Sequence, residues 1–367
     1  MKERNQTFVY LYVLTILMVI DDHCGTRIGF LSGIFPYNSF YMPLFVFASG
    51  YFFHQRPFWD TLKRRTKRIL LPYIVWDVVM VALAFPVDAI LHVNWSRKPS
   101  VLTVVRMLVD SSTTTLNGAA WFAIMIFWLS ILYTVLRMIV RSGIVQDCIL
   151  TLVLVALGMI AVYLCMYHMP QDEYALFAMR LACRTLFFLQ FYHLGYVFKK
   201  YFEAHMQRLN KGIVCIVCVI VNMCLILVFG DKINFTSTYA MNGFHYVVLP
   251  LITSITGILF YYEVMSFLAD RIGEMKATSF IARNTFVIMQ VHLLLVNIPN
   301  MVVFWKINHG ATQYPDFPVE TFIDSAWTAY NSNARLIGFF CGVVGSLLIA
   351  LGIERVQAWY RRRKGIN

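Results

Sequence analysis

The sequence predicts an all-α, polytopic integral membrane protein of about ten transmembrane helices in one bundle, and three observations carry that prediction. Apolar residues make up 59% of the 367 and only 14% are charged, whereas a soluble domain has about 45–50% and about 25%. Mean hydropathy is +0.65. The apolar residues fall in runs long enough to cross a bilayer, which takes roughly 20 helical residues, and basic residues gather in alternate connections between the runs. A net charge of +12 distributed this way reads as membrane topology and implies no nucleic-acid partner.

The runs lie near 7–24, 35–54, 70–91, 119–138, 144–166, 178–198, 212–230, 243–264, 280–299 and 336–357. The first lacks the basic segment and small-residue cleavage site of a signal peptide, so it is expected to be retained. Pro72 sits where a helix is expected to start and its missing N–H costs little, while Pro43 and Pro250 are placed to kink spans. Lys2, Arg4, Arg56, the Lys63 to Arg68 cluster, Arg137, Arg141, Lys199 to Lys211, Arg271 to Arg283 and Arg361 to Lys364 fall on one side. The other side carries only Arg27, Arg97, Lys98, Arg106, Lys232, Lys306 and Arg335. That bias places both termini in the cytoplasm. It also leaves the basic clusters free to meet anionic lipid or an anionic cofactor. No internal repeat or linker divides the chain, so residues 5–358 read as one membrane domain and 359–367 as a basic cytoplasmic tail.

Ionisable groups inside a membrane are costly unless paired, hydrated or used. Asp21, Asp22 and His23 end the first span. His23 has the ordinary proton affinity to take a proton from a hydroxyl and return it, with an aspartate to orient the ring; capping a helix at the interface is an equal reading. Arg180 and Arg184 share a face of the sixth span and ask for an anion, or else for the outer headgroups. Gln290 and His292 sit in an apolar ninth span, which suits either a cavity or a satisfied structural site. His193 and Tyr196 read as packing residues, and Asp77 and Glu263 as partners for a buried arginine. Of eight cysteines, Cys215 and Cys218 alone have close CxxC spacing, and without a second ligand pair no metal is expected. The outward connections 92–118 and 300–335 hold Trp95, Trp305, His309, Tyr314, Asp316, Asp324, Trp327 and Tyr330. They form a carbohydrate-stacking surface or an interfacial aromatic belt.

Four stretches resemble the integral-membrane acyltransferase 3 family, including its bacterial O-acetyltransferases that modify surface polysaccharides. They are the helix ending in His23 followed by Phe40 to Phe53, the basic Lys63 to Tyr73 segment, Trp121-Phe122 with the later Phe188 to Tyr196 helix, and Ile281 to His292. Their order along residues 5–358 makes the likeness specific. The resemblance implies transfer of an acyl group, usually acetyl from acetyl-CoA or another acyl-CoA, to a hydroxyl of an envelope polysaccharide or its lipid-linked precursor. It makes His23 the catalytic histidine, supported by Asp22 and Asp21. Arg184, Arg180, Arg68 and Lys67 would bind the donor, and His292, Gln290, Glu263 and Trp121 would support the site or contact substrate. Membrane lipid, the glycan and the polysaccharide synthesis machinery are the implied partners. One position departs from the pattern: eleven residues before the histidine, where the family often has Arg or Lys, stands Tyr12. A glycan-lipid transporter or flippase and a non-catalytic envelope scaffold are the competing readings.

Overall fold

A computed structural model of the protein describes residues 5–25, 31–96, 100–109, 114–238, 240–327 and 334–364. Lys2, Arg4, Arg27, Arg97, Lys98, Tyr330 and the last three residues of the basic tail lie outside them. The architecture is all-α. Nine helices among the described residues are long and apolar enough to cross a membrane: α1 (Gln6–Cys24), α3 (Phe58–Leu91), α4 (Thr115–Ile139), α5 (Ile144–Tyr167), α6 (Glu173–Met206), α7 (Lys211–Ile233), α8 (Leu249–Ile272), α9 (Thr285–Asn308) and α10 (Arg335–Arg363). The predicted run 35–54 becomes a 15-residue helix, α2 (Tyr37–Tyr51), with Pro43 inside it. At 1.5 Å per residue it reaches about 22 Å, short of the roughly 30 Å hydrocarbon layer.

Two prolines behave differently from their sequence reading. Pro250 occupies the first turn of α8, where no intrahelical partner is lost. Pro72 opens no helix, because α3 already runs from Phe58. A π-helical turn, Thr66–Leu70, immediately precedes it. The hydrogen-bond ladder changes register there, which accommodates a residue without an N–H.

Two compact units emerge. The first comprises Met1–Thr15, Gly29–Leu70 and Met125–Met275. Its centre is the packing of α2 on α6, made possible by two glycines. A Cβ on Gly50 would run into the carbonyl of Tyr192, and one on Gly195 into the carbonyl of Phe47. Backbone meets backbone at both places, so no side chain can yield. Gly195→Ala should therefore cost about 3 kcal/mol or more, the upper range for overpacking a tight interior, read as a lower unfolding midpoint in detergent. At Gly257 of α8 it is the Phe40 side chain that takes the space of a Cβ. Apolar side chains on the outside of α5 and α7, such as Leu152 and Leu227, are widely exposed and suit lipid.

Polar bonds fasten one side of this unit. Asn5 Nδ2 donates to Tyr51 Oη at 3.1 Å, and that hydroxyl donates to Glu203 Oε1 at 2.6 Å. Tyr10 donates to the Gly273 carbonyl. Across the α4–α5 turn, Arg137 Nη1 meets Asp147 Oδ1 at 2.7 Å. The other carboxylate oxygen takes Lys200 Nζ at 2.9 Å and Tyr201 Oη at 2.8 Å.

The second unit comprises Ile16–Ile28, Leu71–Ile124 and Lys276–Asn367. α9 packs against the 3-10 turn Thr115–Ala120 that opens α4 and against α10. α10 contains a π-helical turn, Cys341–Gly345, whose Gly342 presses on Val296 and Ile20. Beyond that turn Ser346 and Ala350 are fully buried, and Glu354 accepts Arg283 Nε and Asn284 Nδ2, each at 2.8 Å. A separate apolar cluster joins Trp95, Leu116, Phe304, Phe317 and Phe322. Trp95, read from the sequence as part of an outward aromatic surface, is instead fully buried and donates its indole N–H to the Phe322 carbonyl at 2.7 Å. Asp88 fixes the approach by accepting the N–H groups of Trp95 and Ser96.

Candidate functional site

Polar groups that could do chemistry converge in each unit. In the first, a cavity of about 290 Å³ is lined by Tyr12, Ser49, Phe52, Phe53, His54, Thr61, Ser130, Thr134 and four arginines, Arg56, Arg64, Arg65 and Arg68. Arg64 and Arg68 are four residues apart around the π turn, and Arg65 acts electrostatically on the hydroxyls of Tyr12 and Tyr192. Four guanidinium groups around one space repel one another and are relieved by an anion. Guanidinium forks match phosphate in particular. Sequence reasoning picked Arg68 from this cavity and also Lys67, which is exposed and not among the lining residues. Arg64 and Arg65 belong to the basic 63–68 segment that the resemblance offers to the nucleotide part of CoA, whereas Arg56 reads from the sequence as topology alone.

Tyr12 stacks on Phe45 with ring centroids 5.9 Å apart. It lines the arginine cavity from α1. Positive charge thus reaches this place from α3 although position 12 carries none.

In the second unit, His23 lies at the last turn of α1, half-buried, its ring centroid 5.1 Å from that of His292. The rings belong to α1 and α9, separated by most of the chain. The indole of Trp327 meets His23 edge-on at 4.9 Å. His292 is fully buried and its Nδ1 bonds the Ile288 carbonyl at 3.1 Å. A carbonyl can only accept, so neutral His292 carries its proton on Nδ1 and presents a bare Nε2. Among the described residues that Nε2 has no hydrogen-bond partner, and neither do the two amide atoms of buried Gln290. Unsatisfied buried polar atoms are rare in folded proteins and costly. Asp21 is fully buried and Asp22 half-buried on the same turn of α1. Trp121 is buried at the start of α4, its ring 5.8 Å from Phe122.

Over residues 10–355 the chain matches the family model described as an acyltransferase domain. The chain belongs to that family. No curated protein and no solved structure matches it in the corresponding comparisons. Membership supports a membrane acyltransferase-type enzyme, and a cosubstrate of the acyl-CoA class is consistent with it.

The remaining predicted residues of this acyltransferase domain spread over both units. Arg184 is 1% exposed, which removes headgroup snorkelling as its explanation; Arg180 is half-buried. Glu263 is buried on α8 with Oε1 unbonded, and the charges acting on it are those of Lys211 and Asp270. Asp77 accepts from Asn117 Nδ2 at 3.0 Å. His193 is held on both ring nitrogens, by Tyr133 Oη at 2.8 Å and by Thr151 Oγ1 at 3.1 Å, as a packing residue should be. Among the described residues no three histidine, cysteine or acidic side chains gather as metal ligands.

The cavity makes a direct prediction. Replacing Arg64, Arg65 and Arg68 together by Gln removes charge-assisted bonds of about 1.5–3 kcal/mol each. The Kd for acetyl-CoA, measured by calorimetry in detergent, should rise by about 100-fold or more, with a salt dependence that the parent shows and the variant loses.

Proposed function

We propose that the protein transfers an acyl group, acetyl from acetyl-CoA, to a hydroxyl of a cell-envelope or extracellular polysaccharide or of its lipid-linked precursor. It does so in a bacterial cell membrane, with both termini in the cytoplasm and with the polysaccharide synthesis machinery supplying the acceptor. The observation that carries the reading is the His23 imidazole set against His292 in a domain of the acyltransferase family. The four-arginine cavity supports the donor half of it.

Neutral His23 accepts the hydroxyl proton as the acceptor oxygen bonds to the thioester carbonyl carbon. The C–S bond then breaks, and the imidazolium returns its proton to the departing thiolate. Acceptor hydroxyl and thioester become ester and free thiol, with no oxidant or reductant required. Negative charge on the carbonyl oxygen calls for a preorganised donor. The Gln290 amide, buried with its nitrogen unbonded, is such a donor in the histidine-containing unit. Asp21 or Asp22, on the same turn of α1, orients the His23 ring, and Arg184 and Arg180 add positive charge for the donor. Ser49 is no nucleophile in this scheme, since its hydroxyl is committed to the Phe45 carbonyl at 2.9 Å.

The test uses purified protein in lipid vesicles, supplied with acetyl-CoA and with envelope polysaccharide stripped of esters by alkali. Thiol release matched by a gain of acetyl mass on the polysaccharide is the expected result. Movement of a glycan lipid across the vesicle without thiol release would replace acyl transfer by transport.

A further inference from the structure

We propose that Trp327 is the platform on which the acceptor sugar rests, its indole stacking on a pyranose ring so that a ring hydroxyl meets His23 and His292. This inference rests on the acyl-transfer reading above and names the acceptor side of that site. A pyranose offers an apolar face of C–H groups with hydroxyls around its rim. An indole held rigidly, partly exposed and with an acid–base group beside it, is the complementary surface.

The indole has that setting. Trp327 is 42% exposed, and its ring centroid lies 4.9 Å from that of His23 with the planes at 65°. Its inner side lies on Gly118, where even a methyl group would collide with Cζ2, Cε2 and Nε1 of the ring. Three bonds fix the backbone just before it. Asn297 Nδ2 donates to the Ala326 carbonyl at 2.6 Å, Thr115 Oγ1 accepts the Ala326 N–H at 3.2 Å, and Ser325 Oγ accepts the Trp327 N–H at 3.1 Å. Asn297 sits at the joint between the two segments of α9 and is itself steadied by Asn300. This much buried polar structure is spent on placing one partly exposed side chain.

A second feature independently asks for a hydroxyl. The bare Nε2 of His292, fully buried and unpartnered, is an acceptor only. It lies on the ring that faces His23 at 5.1 Å. A sugar hydroxyl on the indole would donate to that nitrogen while a neighbouring hydroxyl gives up its proton to His23.

Vesicle-embedded Trp327→Ala, Trp327→Phe and Gly118→Ala are compared with the parent, using acetyl-CoA and the alkali-treated polysaccharide as probes. Trp327→Ala should raise KM for the polysaccharide about tenfold and leave KM for acetyl-CoA unchanged. Trp327→Phe should recover most of the loss. Gly118→Ala, which keeps the indole but displaces it, should behave like Trp327→Ala. An unchanged polysaccharide KM in Trp327→Ala overturns the inference while leaving acyl transfer intact. Equal losses in the Ala and Phe variants with weakened acetyl-CoA binding overturn it in favour of a structural role. A parent protein that acetylates no polysaccharide takes down both readings.

Discussion

His23→Ala is expected to lower kcat by about 10²–10⁴, the range for removing a positioned general base, while the Kd for acetyl-CoA stays within twofold of the parent. The separation follows from where the groups lie. The four arginines belong to a cavity lined also by Tyr12, Ser49 and Thr61, and His23 is not among its lining residues. Loss of the imidazole removes the proton acceptor and the edge contact with Trp327, but no cation. His292→Gln provides the control, because its side-chain amide keeps hydrogen-bonding capacity and cannot take up a proton. It should raise KM for the polysaccharide more than it lowers kcat. Single-turnover thiol release and polysaccharide saturation curves give both quantities. A His23→Ala protein that turns over like its parent would remove His23 as the base.

Asp147→Ala is the substitution with the largest expected cost in stability. Asp147 and the Arg137 side chain it holds are 1% and 0% exposed, whereas Lys200, the second cation on the same carboxylate, is 33% exposed. Without the carboxylate, Lys200 can turn to water. Arg137 cannot, although its guanidinium keeps the Tyr196 ring at 4.8 Å and a long contact to the Tyr196 hydroxyl. Breaking a buried pair from one side leaves an uncompensated charge and costs about 3–5 kcal/mol. Thermal unfolding in detergent should move down by roughly 5–10 °C. Adding Arg137→Met should return most of that loss, since the penalty belongs to the stranded guanidinium and not to the missing carboxylate. If the double variant is no better than Asp147→Ala, the cost lies instead in the bonds from Lys200 and Tyr201.

The sequence made the helices legible because a spanning segment must satisfy its backbone internally and present apolar side chains outward, and both demands leave long runs in the composition. Its errors lie at the ends. The sixth run was bounded at 178–198, yet α6 extends from Glu173 to Met206 through a π turn at Phe198–Phe202, because polar and basic residues continue a helix once it leaves the lipid. His23 and His292 were each picked out as unusual for a membrane, but nothing local says that rings so far apart in the chain lie 5.1 Å apart. Arg137 was read as one more topological charge, and Asp147 was not considered at all. A signal existed there: a basic residue near the end of one span followed ten residues later by an acid in the first turn of the next. Trp95 misled for the opposite reason, since an aromatic residue in an outward loop looks the same whether it faces sugar or fills a small core under the loop.

The π turn of α10 implies a constraint of another kind. Relative to a plain α-helix, such a turn holds one residue more than the register of its flanks requires. Deleting one residue of Cys341–Gly345 would let the turn close to regular winding with its flanks in register, whereas deleting one from the α-helical stretch after it would rotate all that follows by about 100°. In the second case Ala350 and Glu354 would leave the positions they hold, and Arg283 and Asn284 would lose their acceptor. Residue count therefore matters least inside the π turn and most in the helix after it: loss of one residue should be absorbed at Cys341–Gly345 and should break the Glu354 contacts when it falls between Ser346 and Ala350.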